Sequence, residues 1–422
     1  MINKLKRELF NLARESDLAG WLFLVRMIWS RVASVSRAGG SFRLNQLAGS
    51  LGYFPGNRRH KRQLSEALDI ACSVNRSVKE AKPVSLSYCA VLKPFISESE
   101  KGILLVSFEN QLAKLLDSGR IDDVLARYHL VFIPSWSGLY SKELFRLVAA
   151  AGQEPVFVLP VHSHERELVT TLGSNCHSLP FNAASWVNSD FFERPAQERD
   201  IDCLMVANFA SFKRHWLLFK ALKELPEDIR VTCVGVPLGS RTAESIRQEA
   251  AEYGVLGQVT IVEDPSQEEL RRYFRRAKMF CAMSYREGSF IAVAESLMSG
   301  TPVLMFRKAH IGTKSLINER TGALVKSVRE LRKKILEYRN FEGHDQVRQI
   351  AIENISGQAN SRKLNSMLRD WSNSNGKAWS VGVEPFYSQR LDFYYFSDES
   401  CDRLVNDYKY LSELGIGFPR HS

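Results

Sequence analysis

Two glutamates, Glu287 and Glu295, stand with seven residues between them in SYREGSFIAVAESLMSGTPVLM, residues 284–305. Gly288 and Ser289 follow the first glutamate, where a loop after a strand turns into a helix. Small residues at a helix start let an anion approach bare backbone amides, and a diphosphate is a natural guest. Glu295 falls roughly two helical turns further on, at about 3.6 residues per turn. Both carboxylates then face one general side and suit two hydroxylated parts of one ligand. Gly300-Thr301-Pro302 closes the helix and launches the next strand. No cluster of His, Asp and Cys has metal-ligand spacing, so chemistry without a metal or other cofactor is expected. The seven cysteines, at 72, 89, 176, 203, 233, 281 and 401, are scattered, odd in number and without a CxxC pair. They indicate free thiols in a reducing cytosol.

Placing these groups requires a repeating scaffold. VSLSYCAVL (84–92), GILLVSF (102–108), HLVFIPS (129–135) and PVFVLPVH (155–162) read as buried strands. Helices at 110–119 and 141–152 separate them, each stopped by a glycine. After the polar stretch AQERD (196–200) the pattern restarts. DCLMVANF (202–209), IRVTCVGVP (229–237), VTIVED (259–264), MFCAMS (279–284), TPVLMF (301–306) and GALV (322–325) are the strands, with helices at 214–225, 240–254, 266–277 and 292–299. Strands alternating with helices predict parallel α/β sheets. The expected division is an N-terminal lobe, 1–195, with a helical extension over 1–82, and a C-terminal lobe, 198–372. A tail, 373–422, begins with the linker NSNGKAWS and packs back on the first lobe. Two such lobes predict a ligand held between the carboxyl ends of two sheets.

The segment 284–305, with its glutamate pair followed by Ser-Gly-Thr-Pro-Val, resembles the E-x7-E signature of retaining nucleotide-sugar glycosyltransferases. These have two Rossmann-like lobes, the GT-B fold, and build bacterial polysaccharides and lipopolysaccharide. The resemblance runs through VANFASFKRHWLLFKAL, VTCVGVP, VTIVEDPSQEELRRYFRRAKMFCAMSYREGSF and INERTGALV. It implies that Glu287 holds donor-sugar hydroxyls, that the amides of Gly288, Ser289 and Phe290 meet the donor diphosphate, and that Glu295 binds the ribose. Lys213 matches the lysine that stabilises the leaving group, and His162 matches a histidine facing the donor sugar. The pattern departs at Ala207-Asn208, where Gly-Arg is usual, and Arg214 is the candidate to compensate for the arginine that Asn208 replaces. The resemblance therefore implies a cytoplasmic, retaining glycosyltransferase. Its partners are a nucleotide-diphospho-sugar donor and a glycan or lipid-linked acceptor. The alternative is a catalytically decayed GT-B partner protein in polysaccharide assembly.

The composition fits a folded protein. The 422 residues are 45% hydrophobic and 25% charged, which excludes a largely disordered chain and a multispanning membrane protein. The net charge of +10 is concentrated: residues 1–62 hold twelve Lys and Arg against three acids. Within them LAGWLFLVRMIWSRV (18–32) is apolar, too short to span a bilayer, and carries Arg26 at its middle. A basic, tryptophan-bearing helix of this kind is expected to lie at an anionic membrane surface, peripheral to the inner face. The plain alternative is a helix packed on its own domain. Nucleic acid is not expected as a partner.

Overall fold

The computed structural model describes residues 40, 43–45, 47–48, 60–76, 78, 80–136, 139–192 and 198–419. The basic apolar segment 18–32, and the membrane-surface expectation attached to it, lies outside the described residues. Among those described, no helix is long and apolar enough to cross a membrane.

The chain forms two compact units. The first runs to Ala183 and takes in Arg362–Phe386 and the residues from Arg390 onward. The second is Ala184–Ser361 with Tyr387–Gln389. The passage at Ala183–Ala184 precedes the polar stretch that composition singles out. The reason is local: Ala184, Val187 and Phe192 are buried in the second unit's core, and the Val187 amide donates to the Ile355 carbonyl at 3.0 Å.

In the first unit the strands are β1 (Val84–Ser85), β2 (Cys89–Lys93), β3 (Gly102–Ser107), β4 (Tyr128–Ile133), β5 (Val156–Val158) and β6 (Cys176–Ser178). Strands β2 to β6 form one sheet in that order. β2 is antiparallel to β3, and the remaining pairs are parallel. Every residue of β2, β3, β4 and β5 is buried, as continuous apolar runs covered on both faces require. The helix Lys142–Ala151 starts at Ser141, whose hydroxyl accepts from the Leu144 amide, and ends at Gly152 with φ 59°. β5 stops at Val158, four residues short of the expected run to His162. Pro160 has no N–H to continue the ladder.

In the second unit β7 (Ile201–Val206), β8 (Val231–Gly235), β9 (Val259–Glu263), β10 (Ala277–Ala282), β11 (Val303–Phe306) and β12 (Gly322–Val325) form a six-stranded sheet. Its order is β12-β11-β10-β7-β8-β9, and every pair is parallel. All six strands therefore end at one edge. The winding direction reverses at β7, which pairs with β8 on one side and β10 on the other. Such a switch point leaves the loops after the two central strands splayed apart, and ligands bind there.

The C-terminal segment adds β13 (Phe386–Gln389), β14 (Asp392–Tyr395), the helix Asp398–Glu413 and β15 (Ile416–Gly417), which pairs in parallel with β1. It is stitched into the first unit by buried polar contacts. The buried Glu100 carboxylate accepts from the Ser380 amide at 2.6 Å, the Ser380 hydroxyl at 2.7 Å and the Val381 amide at 3.1 Å, and pairs with buried Lys93 at 3.0 Å. Burial alone would raise this carboxyl. The hydrogen bonds from Ser380 and Val381 and the Lys93 ammonium outweigh it and hold the pKa at about 2. The Tyr128 hydroxyl donates to Asp407 at 2.6 Å, and the Tyr395 hydroxyl to the Val91 carbonyl at 2.6 Å.

Candidate functional site

The loops after β7 and β10, the two strands flanking the switch point, carry Lys213 and Glu287. At the end of β7 the Ala207 carbonyl passes so close to Gly235 that a Cβ there would sit 2.0 Å from its oxygen. Only glycine lets the end of β8 pass this close to the chain leaving β7. Next, the Asn208 side chain accepts from the Ala210 amide at 3.2 Å and turns the chain out of the strand. A single 3₁₀ turn, Ser211–Lys213, follows, and Arg214 takes the left-handed conformation with φ 58° before the helix His215–Leu222. That conformation sends neighbouring side chains apart. Arg214 is buried and donates through Nε to the Met283 carbonyl at 2.6 Å, so it is committed to the backbone beyond β10. The expectation that it stands in for the arginine replaced by Asn208 has no support in this geometry.

Lys213 is 6% exposed. Its Nζ lies 2.6 and 2.5 Å from the two carboxylate oxygens of Glu287 and 4.5 Å from the centre of the Phe290 ring. The loop bearing Lys213 is also pinned from behind. Arg241 donates to the Phe209 carbonyl at 2.8 Å and pairs with buried Glu249 at 2.9 Å. Neither Arg241 nor Glu249 carries a motif, and no sequence signal singles them out.

The Glu287 loop is laced to the loop after β11. The Glu287 amide donates to the His310 carbonyl at 3.0 Å, the His310 amide to the Tyr285 carbonyl at 2.7 Å, and the Gly312 amide to the Gly288 carbonyl at 2.8 Å. Phe290 adopts φ 53° and buries its ring against Phe280, 6.1 Å between centroids. The amides of Gly288, Ser289 and Phe290 donate to no acceptor among the described residues. They lie at the start of the helix Ile291–Met298, the positive end of its dipole. Glu295 lies on this helix, half-buried, and its carboxylate has no hydrogen-bond or ion-pair partner among the described residues. Burial pushes its pKa up to about 7. The Ser-Gly-Thr-Pro exit is structural: the buried Thr301 hydroxyl donates to the Phe274 carbonyl at 2.7 Å, and Gly300 ends the helix with φ 72°.

His162 belongs to the first unit. It lies beyond the end of β5, at the head of the 3₁₀ turn Ser163–Glu165, with its ring stacked on His164 at 5.3 Å. Glu109 accepts from the Ser135 amide at 3.1 Å, so it ties down the loop after β4 as well as starting a helix. Arg271 pairs with Glu268 and donates to the Phe191 carbonyl at 3.1 Å, and Arg276 pairs with Asp200. Asp200-Ile201-Asp202 has Asp-x-Asp spacing, but Asp202 is spent on Lys278 and the Arg230 amide. All seven cysteines are free thiols. Among the described residues no group of three or more His, Cys, Asp or Glu is placed to hold a metal ion.

A mixed α/β fold with parallel sheets, and a site built at the carboxyl edge of one of them, place the chain among doubly wound α/β proteins, and its solved structural neighbours have the GT-B fold. The protein is similar in fold to TarM, with a TM-score of 0.50 and 14% identity over 73% of this chain and 58% of that one. It is similar to HepE of Anabaena in complex with UDP, with a TM-score of 0.50 and 13% identity over 72% of this chain and 82% of that one. At these identities the likeness is one of fold. Residues 187–355, which fall within the second unit, match the family model of the glycosyl transferases group 1. A stretch of 108 residues is 32% identical to D-inositol 3-phosphate glycosyltransferase of Mycobacterium sp. strains KMS and JLS. It covers 25% of this chain and spans about a quarter of the length of those relatives, 24%.

Proposed function

We propose that the protein is a retaining glycosyltransferase that moves a sugar from a nucleotide-diphospho-sugar to a glycan or lipid-linked acceptor, without a metal, in cell-surface polysaccharide or lipopolysaccharide synthesis. The observation that carries this reading is the Lys213–Glu287 contact at the switch point, beside three amides with no acceptor among the described residues. In the free protein the ammonium and the carboxylate neutralise each other. A diphosphate docked on the amides of Gly288, Ser289 and Phe290 offers Lys213 a second anion, and Glu287 is then available to sugar hydroxyls. Glu295, one to two turns along the helix, has the free carboxylate that two ribose hydroxyls need as acceptor. As the bond from the anomeric carbon to the diphosphate oxygen breaks through an oxocarbenium-like state, negative charge grows on the departing phosphate. Lys213 and the helix-start amides oppose that charge from fixed positions, the arrangement that lowers a barrier most. The acceptor hydroxyl then adds on the face the diphosphate left and gives its proton to the departing phosphate oxygen.

The UDP bound to HepE, a protein of the same fold, supports a nucleoside diphosphate as the leaving group. The test is sugar transfer, or donor hydrolysis, from a panel of nucleotide sugars. Lys213→Ala and Glu287→Gln are each expected to lower turnover by about 10²–10³-fold, the usual loss when one charge-stabilising group is removed. Undiminished turnover in both variants removes the catalytic assignment. A wild-type protein that binds UDP and turns over no donor favours a decayed assembly partner instead.

A further inference from the structure

Cations are unevenly placed along the carboxyl edge of the second unit's sheet. The chain leaving β10, β11 and β12, three neighbouring strands, carries Arg286, Arg307, Lys308 and Lys314, then Lys326 and Arg329. All but Lys314 are exposed. On the far side of β7 the edge turns acidic, with exposed Glu263 and Asp264 at the end of β9. Of the acids nearest the basic loops, Glu287 is held by Lys213 and Glu330 accepts from the Lys326 amide at 2.7 Å. Glu319 precedes β12, toward the opposite edge of the sheet. Arg307, Lys308, Lys326 and Arg329 enter no ion pair among the described residues.

This placement conflicts with local electrostatics. Phe306 and Val325 are the last paired residues of β11 and β12, and the Arg307 amide still donates to the Val325 carbonyl at 2.8 Å. Arg307 and Lys326 are therefore neighbours across the two strands, where like charges repel. Arg329 is the second residue of the helix Val328–Tyr338, at the positive end of its dipole. Lys314 turns back over the loop after β11 and donates to the Ala309 carbonyl at 2.6 Å, which brings in a further cation. The helix start is capped from within by the Ser327 hydroxyl, which accepts from the Glu330 amide at 3.2 Å. Side chains, rather than its amides, are what this surface offers. Uncompensated local conflicts of this kind gather at functional places.

The layout narrows the partner. Neighbouring strands lie about 4.8 Å apart, so the cations spread over about 10 Å and suit a chain with repeated charges better than a single phosphate. The loop after β11 is the one laced to Glu287 and Gly288, which sets the basic stretch beside the proposed sugar pocket. A lipid surface calls for exposed apolar side chains among the cations. Among the described residues the exposed large apolar side chains of the second unit are Val236, Leu238, Leu256 and Leu336. None is on these loops, and Leu336 stands about two turns along the helix from Arg329.

We propose that the loops after β10, β11 and β12 form a binding surface for an acidic glycan, a chain that carries carboxylate or phosphate groups. That this chain is the acceptor rests on the sugar-transfer reading; the surface does not. The experiment is fluorescence anisotropy on the full chain with labelled decagalacturonate and, as the neutral counterpart, labelled maltodecaose. Vesicles of phosphatidylglycerol and phosphatidylcholine are tested alongside, and UDP is titrated in parallel. The wild type is expected to bind decagalacturonate, more weakly as salt rises, and not maltodecaose. Arg307→Glu/Lys326→Glu is expected to lower that affinity at least about tenfold, because each reversal turns an attraction into a repulsion. Lys223→Glu/Arg272→Glu replaces exposed cations on other helices of the same unit and changes the net charge equally. It is expected to leave the affinity within about twofold, since salt screens distant charges. Arg307→Gln/Lys326→Gln is expected to bind decagalacturonate more weakly yet melt no lower than wild type, and it decides the matter if the reversal does not fold. No binding of decagalacturonate, or equal affinity in the two charge-reversed proteins, overturns the proposal. Loss of vesicle binding with decagalacturonate binding intact makes the surface a membrane contact and overturns it as well. UDP binding without decagalacturonate binding removes this surface alone. Decagalacturonate binding without UDP binding removes the sugar-transfer reading and leaves the surface standing.

Discussion

Glu295 is the side chain whose charge depends most on its surroundings. Burial raises its folded pKa to about 7 from an ordinary 4.5, so the folded state holds this proton where the unfolded chain has released it. Between those values stability must fall as pH rises. Glu295→Gln is predicted to match wild type below pH 4 and to be more stable by about 1–3 kcal/mol above pH 7. Urea melts across pH 4–8 check this; parallel profiles for the two proteins would remove the desolvation argument. At this scale the positions of Lys213 and Glu287 just beyond two strands were legible, and the structure brings these two side chains together. Arg214 was not. Which of two adjacent basic side chains reaches the Glu287 side is decided by one left-handed φ, and no residue type announces it. Arg241 and Glu249 were invisible for a related reason: the contact that matters, Arg241 to the Phe209 carbonyl, joins residues 32 apart in the chain.

Elements decide where those residues meet. The alternation of strands and helices was readable from apolar runs, and most strand positions agree to within a few residues. The order of the sheet was not readable. That β7 lies between β8 and β10 follows from how helices cover both faces, and it is this order that brings the Lys213 and Glu287 loops together. Gly235 is a sensitive point beside the Lys213 loop. Gly235→Ala sets a methyl against the Ala207 carbonyl and must push β7 and β8 apart. We predict a loss of about 2–3 kcal/mol in stability, the cost of overpacking, together with weakened UDP binding, because Asn208 and the Lys213 loop continue from the displaced strand. A chemical denaturation curve and a UDP titration on the same sample measure both. Wild-type UDP affinity in a destabilised variant would show that the loop's position does not depend on this close approach. β6 was missed in the sequence because Cys176–Ser178 is three residues long, too short for any periodicity to show.

At the scale of the whole molecule the chain crosses from one unit to the other and back. Composition marked the change near residues 196–200, whereas Val187 is already part of the second core. Polar residues signal a surface, not a boundary. The C-terminal segment behaves as core material of the first unit: Leu404, Leu411, Ile416 and Phe418 belong to its hydrophobic cluster. Removing residues 375–422 would strip the Ser380 and Val381 donors from Glu100 and the Asp407 acceptor from Tyr128. Buried polar groups left without partners cost about 1–3 kcal/mol each, more when charged. The truncated chain is predicted to lose the first unit's cooperative calorimetric transition; an unchanged transition would show that the segment is an appendage. The measurement that bears most directly on the central claim is calorimetric titration of UDP into wild type, Lys213→Ala and the double variant Lys213→Ala/Glu287→Gln. If Lys213 and the amides of Gly288, Ser289 and Phe290 converge on one diphosphate, the single variant binds at least about tenfold more weakly, through lost attraction and the unmasked Glu287, and the double variant recovers part of the loss. Equal affinity in all three proteins would contradict the account.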